Sequence, residues 1–125
     1  MLVSEQEIIE LKNFIFQLNS IKDSLVVVEG KRDSIALKNL GYTGKVLEFY
    51  RFRGMINFTD SVAKYKRLII LFDRDKKGRT LTGKTIQLLQ RRTKIDLSFK
   101  RQLRVITKGK IMFIEQLVCY ESYLA

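Results

Sequence analysis

A chain of 125 residues, 46% apolar and 30% charged, is long enough to bury a real core as one domain over 1–125, and no apolar run approaches the ~20 residues that a membrane span needs. One cysteine, Cys119, and no histidine exclude internal disulfides, multi-cysteine zinc sites and histidine catalysis, leaving carboxylates, lysines, tyrosines, hydroxyls or a hard metal. The net charge of +11 falls wholly in residues 64–125, where sixteen Lys/Arg face five Asp/Glu, and a basic field of this kind favours a polyanion such as nucleic acid over a merely solvated basic face.

Ser4 and Glu7 form a capping box, and Ile8, Leu11, Ile15 and Leu18 recur at helical spacing, predicting a helix over 4–18. No basic leader precedes an apolar block there, so a cytoplasmic protein is expected rather than a secreted one. Residues 25–28 are a short β-branched run suited to a buried parallel strand. Ile35, Leu37 and Leu40 mark a helix that stops at Gly41. A second strand is predicted over 46–49, running into an aromatic and basic loop over 50–55. A helix over 58–65 leads to residues 68–72, the strongest strand signal in the chain. Beyond Gly78, Ile86, Leu88 and Leu89 predict a helix to about Arg92, and 94–97 a fourth short strand. Phe99, Leu103 and Ile106 predict a helix broken at Lys108-Gly109, and Ile111, Ile114 and Val118 one face of a terminal helix. Strands alternating with helices imply an α/β domain with a mainly parallel sheet.

Two phosphate-chemistry signatures overlap after the third strand. Gly78-x-x-x-x-Gly83-Lys84-Thr85 satisfies the P-loop pattern. A P-loop strand runs almost directly into its first glycine, yet residues 73–77 intervene here, and the aspartates among them repel phosphate. A P-loop nucleotide binder is therefore the third-ranked reading. Asp73 and Asp75 instead follow a strand end, where ligands bind in doubly wound sheets. Their i, i+2 spacing in an extended chain turns both side chains to one side. Mg²⁺ takes one or two carboxylates, keeps several waters and bridges to phosphate oxygens. Gly78 then permits the turn into the next helix.

Glu29 follows the first strand at the same edge of the sheet. If the two strands are neighbours, it joins Asp73 and Asp75 in a cluster that a cation would stabilise, and it remains able to exchange a proton. Gly30 admits a close backbone or phosphate, and Lys31 and Arg32 open a helix whose dipole favours anions. Each residue alone reads as a turn former or cap. Glu-Gly after one strand with Asp-x-Asp-x-x-Gly after a later one carries more weight.

With Val-Val-Val-Glu29-Gly30-Lys31-x-Asp33 and Leu-Phe-Asp73-x-Asp75-x-x-Gly78, the chain resembles the Toprim family of topoisomerases, bacterial primases and several nucleases over about residues 24–110. Gly54 resembles the family's glycine after the second strand. The resemblance implies a compact, Rossmann-like Toprim fold: a four-stranded mainly parallel sheet flanked by helices, here with extra N- and C-terminal helices. It implies Mg²⁺, or Mn²⁺, at the carboxyl edge, with Asp73 and Asp75 as metal ligands. Glu29 falls on the general acid or base and also in the metal-binding set, and Asp33, Gly30, Gly54 and Gly78 on supporting positions. Many topoisomerases continue the acidic pattern where this chain has Lys77, and nothing here supplies their tyrosine domain or the zinc module of primases. The likeness is greatest to small stand-alone Toprim proteins, related to the bacterial ribonuclease that matures 5S ribosomal RNA.

Lys31, Arg32, Arg53, Arg74, Lys77, Arg79 and Lys84 surround the two acidic motifs as a phosphate- and nucleic-acid-binding set. Tyr50, Phe52 and Phe58 beside Arg51 and Arg53 either stack unpaired bases or point into the core. Arg91, Arg92, Lys94, Lys100, Arg101 and Arg104 form a basic face, while Glu115 reads as a solvated helix carboxylate. The expected activity is Mg²⁺-dependent phosphodiester cleavage of RNA or DNA, with RNA favoured by the likeness. The alternative is a non-catalytic nucleic-acid-binding module within a larger complex. Protein partners and a homodimer remain open.

Overall fold

Four short strands, β1 (Ser24–Val28), β2 (Val46–Glu48), β3 (Arg67–Ile70) and β4 (Lys94–Asp96), pair in the order β2-β1-β3-β4. Every pair is parallel, with Val26 opposite Val46 and Ile69, and Leu68 opposite Ile95. The computed structural model describes residues 2–124. Its helices are α1 (Glu5–Ser20), α2 (Lys31–Asn39), α3 (Met55–Val62), α4 (Lys76–Leu89), α5 (Ser98–Ile106) and the short α6 (Glu121–Leu124). Among these residues no helix is long and apolar enough to cross a membrane.

The apolar runs of β1 and β3 are continuous because both faces of the sheet are covered. Val26, Val28, Ile69 and Leu71 face a core built with α1, α2, α5 and the C-terminal segment. Leu25, Val27, Leu68, Ile70 and Phe72 face the opposite core with α3 and α4. The chain leaves β1 over the first face through α2, and leaves β3 over the second through α4. The two exits diverge between neighbouring strands, the topology that opens a crevice at the carboxyl ends. The α/β architecture expected from the sequence is thus present.

Three local expectations need correction. The α4 helix begins at Lys76 rather than beyond Gly78; it runs through Gly78, Gly83, Lys84 and Thr85, so the P-loop pattern, already ranked third on its spacing, forms no phosphate-cradling loop. Thr85 is fully buried and its hydroxyl donates to the Leu81 carbonyl at 2.8 Å. The terminal segment is a 3-10 helix over Ile114–Tyr120, not an α-helix. Three residues per turn put Ile114, Leu117 and Tyr120 inward and leave Val118 exposed, against the face read from the sequence. Third, α3 starts at Met55, directly after Gly54, whose φ of 109° is costly for any residue with a β-carbon.

Gly83 sits in the middle of α4 with open space where a β-carbon would go. Gly83→Ala is therefore expected to stabilise the protein by about 0.5–1 kcal/mol, read as a raised melting temperature. A marked loss of stability would contradict the helical assignment.

Glu7 ties the two ends of the chain together. It is buried, accepts from the Lys110 ammonium and the Tyr120 hydroxyl at 2.8 Å each, and completes the capping box with Ser4. Burial raises its pKa, but the Lys110 and Tyr120 hydrogen bonds, the Ser4 N–H and the Lys110 charge outweigh that and hold it below its ordinary 4.5. A depressed carboxylate pKa stabilises the fold above the unfolded-state value, and that contribution disappears as pH falls through the folded-state value. Wild-type stability should thus decline below about pH 4.5, and Glu7→Gln should flatten that decline in denaturant titrations at several pH values. Glu7→Ala should cost about 2 kcal/mol at neutral pH, since it strands Lys110 and Tyr120.

Candidate functional site

Because β1 and β3 are hydrogen-bonded neighbours, the residues that follow them meet. The ladder persists past Ile70, with the Leu71 N–H donating to the Val27 carbonyl at 2.9 Å. Glu29 is 4% exposed; its Oε2 accepts from the Asp73 N–H at 2.7 Å and its Oε1 from the Tyr50 hydroxyl at 3.1 Å. Asp73 Oδ1 accepts from the Ile114 N–H at 2.7 Å. Asp75 is the N-cap of α4, its Oδ1 accepting from the Gly78 N–H at 2.8 Å. One carboxylate oxygen from each of Glu29, Asp73 and Asp75 lies within 4.8 Å of the other two. Among the described residues this is the one acidic or cysteine cluster so arranged.

Close packing holds the cluster. A β-carbon on Gly78 would lie 2.6 Å from the Asp73 carbonyl carbon and closer still to its oxygen. The first turn of α4 thus folds directly onto the backbone between the strand end and the helix. The glycine is required by this approach within the first helical turn, rather than by a turn ahead of the helix. On the other side, Asp33 caps α2 by accepting from the Gly30 N–H at 3.1 Å. Asp33 is buried, and burial raises its pKa.

The gathered charge has an electrostatic consequence. The Asp73 pKa is pushed up to about 7, first by burial, with the charges of Asp33 and Glu29 adding to it against the Ile114 hydrogen bond. The donor set is all oxygen, without nitrogen or sulfur, and three carboxylates this close favour a hard divalent cation such as Mg²⁺ or Mn²⁺.

The basic candidates are disposed unequally. Lys31 and Arg32 are exposed at the start of α2, and Arg32 pairs with Glu115 at 3.8 Å. Glu115 is therefore a partner of Arg32 and not a member of the acidic cluster. The Lys77 ammonium lies 4.5 Å from the centre of the Tyr50 ring. Arg74 Nη1 donates to the Ile111 carbonyl at 3.0 Å. Arg53, Arg79 and Lys84 are exposed. Of the aromatics, Phe58 is fully buried against Phe49, Phe52 and Phe72, so it belongs to the core. Tyr50 is half exposed, with the Lys77 ammonium over its ring.

Two contacts to the cluster escaped sequence reasoning. The bond from Tyr50 to Glu29 spans 21 residues, and that from Ile114 to Asp73 spans 41. A backbone donor leaves no residue-type signal, so Ile114 could not have been found. Tyr50 was legible as an aromatic in a basic loop, but not as a partner of the glutamate.

A Toprim domain family model matches residues 24–106. A UPF0292 protein of Methanosarcina acetivorans is 33% identical over 122 residues, covering 96% of this chain and 81% of the relative. A UPF0292 protein of Pyrococcus abyssi is 34% identical over 103 residues, covering 82% and 76%. Among solved structures, a putative protein from Aquifex aeolicus superposes with a TM-score of 0.69 at 27% identity, covering 85% of this chain and 96% of that one.

Proposed function

The chain belongs to the Toprim family, which points to a metal-dependent, nucleic-acid-related role, and we propose that it cleaves phosphodiester bonds in RNA or DNA with Mg²⁺ as its working cation. One observation carries this reading: three carboxylates from two neighbouring strand ends converge within 4.8 Å in a chain whose net charge is +11.

Asp73 and Asp75, with Glu29 beside them, would hold the ion. A divalent ion bound there supplies Lewis-acid stabilisation of charge on the phosphoryl oxygens. Glu29 would act as general acid or base, moving a proton at the Oε1 oxygen that now accepts from Tyr50. Its other oxygen is fixed by the Asp73 N–H, which orients the carboxylate. Asp33 would keep Gly30 and the start of α2 in place, and Gly78 the approach of α4. Lys31 and Arg32 would steady the scissile phosphate at the α2 N-terminus. Arg53, Arg74, Lys77, Arg79 and Lys84 would bind flanking phosphates without reading sequence, with Tyr50 offering a stacking surface. The whole chain is taken as one Toprim unit acting in the cytoplasm.

The test is incubation of labelled RNA and DNA with the protein in Mg²⁺, Mn²⁺ or chelator, alongside Glu29→Gln. Cleavage by the parent that chelator and Glu29→Gln both remove supports the reading. Salt-sensitive binding that survives Glu29→Gln, with no turnover under any metal, would instead favour a binding module within a larger assembly.

A further inference from the structure

The cations near the acidic cluster are not evenly spread. Between the start of α4 and α5 lies a recess of about 330 Å³ lined by Arg74, Arg79, Lys100, Arg101 and Arg104, with no carboxylate on its walls. Elsewhere, among the described residues, four of the six arginines find acids: Arg32 meets Glu115, Arg51 meets Glu48, Arg67 meets Asp96 and Arg92 meets Asp60, while Arg53 and Arg91 do not. Among the described residues, none of the five recess cations has such a partner. Arg74 is pinned by the Ile111 carbonyl, and Lys100 is half-buried with its ammonium 3.4 Å from the Thr82 hydroxyl. Burial pulls the Lys100 pKa below its ordinary range. Five cations without an ion-pair partner around one concavity repel one another, and an anion in the recess relieves that.

The shape narrows the anion. A continuous strand is served by an open groove that follows its backbone, where each phosphodiester brings a single charge. A recess lined by five cations can present several of them to one ligand. A phosphate monoester carries about −1.5 to −2 charges at pH 7 and three acceptor oxygens, so it matches this arrangement better. Leu97 adds an apolar wall against which the attached sugar can lie. The recess also adjoins the acidic cluster. Arg74 stands between Asp73 and Asp75 in the chain, and Lys100 lies within electrostatic reach of Glu29, Asp73 and Asp75.

We propose that this recess binds the terminal phosphate monoester of a nucleic-acid strand and so fixes which bond, counted from that end, reaches Glu29, Asp73 and Asp75. The second half of the statement rests on the cleavage reading above; the binding half does not.

Binding is measured by fluorescence anisotropy in chelator, so that no cleavage is read. Three oligonucleotides of one sequence carry a 5′-phosphate, a 3′-phosphate or hydroxyls at both ends. The wild type should bind a phosphorylated end on the order of tenfold tighter than the hydroxyl strand, and preference for either end supports the recess. Lys100→Gln and, separately, the exposed Arg104→Gln should bring that ratio towards one. Lys84→Gln, outside the recess, should weaken all three strands alike and leave the ratio. Equal affinity of the wild type for all three strands overturns the proposal, as does a ratio unchanged in both recess variants. A strand-end preference that persists in a chain unable to cut with Mg²⁺ or Mn²⁺ upholds the recess while ending the cleavage reading.

Discussion

Asp73→Asn and Asp75→Asn should each reduce metal-dependent cleavage by on the order of tenfold to hundredfold or more while leaving the protein folded. The substitution suits this site because both aspartates already have structural bonds that an asparagine can keep. Asp73 accepts from the Ile114 N–H and Asp75 from the Gly78 N–H, and an amide oxygen accepts in the same places. Asparagine is also as good an N-cap as aspartate, so α4 keeps its start. What the variants lose is charge at the converging oxygens. For Asp73 that loss also removes a charge whose burial, with repulsion from Asp33 and Glu29 added, pushes its pKa up to about 7, so the variant should melt no lower than the wild type. Activity and stability would then move independently. Cleavage rates measured beside melting curves decide the matter: variants that cut as well as the parent would remove these residues from the chemistry.

Gly78→Ala should be the most damaging single-methyl change near the site. The added β-carbon would overlap the Asp73 carbonyl, and the obstacle is backbone rather than a side chain that can swing away. Relief requires α4 to shift away from the strand end, which costs on the order of 3 kcal/mol and roughly 10 °C in melting temperature. The shift would also carry Asp75 away from Glu29 and Asp73, so metal binding should weaken with stability. Gly83→Ala is the internal control. It places the same methyl in the same helix, five residues along, where space is open, and the expected sign is opposite. Two alanine variants with similar melting temperatures would mean that the Gly78 contact is not obligatory.

The sequence made the sheet legible because β1 and β3 are buried on both faces and written as continuous β-branched runs. It made the acidic motifs legible because the turns after both strands keep Glu29, Asp73 and Asp75 within a few residues of the strand ends. The P-loop pattern falls on its spacing alone, but the start of α4 is misread because Gly78 looks like a turn, whereas Gly78, Gly83, Lys84 and Thr85 are compatible with a helix once Asp75 caps it. Helical spacing misled at the C-terminus because a 3-10 helix repeats every three residues, so Leu117 and Tyr120 face inward with Ile114 while Val118 does not. The contacts from Tyr50 and Ile114 into the cluster, and the ion pair of Glu7 with Lys110, depend on long-range packing. Residues 110–120 fold back over the rim beside α2, so their side of the site could be read only from the structure.

Titration of the protein with Mn²⁺, followed by electron paramagnetic resonance, addresses the gathering of Glu29, Asp73 and Asp75 around a cation without depending on any substrate. The wild type should take up about one equivalent that Mg²⁺ displaces, and Glu29→Gln, Asp73→Asn and Asp75→Asn should each weaken that uptake by at least about tenfold. Uptake unchanged in all three variants, or none in the wild type, would contradict a metal centre at this rim.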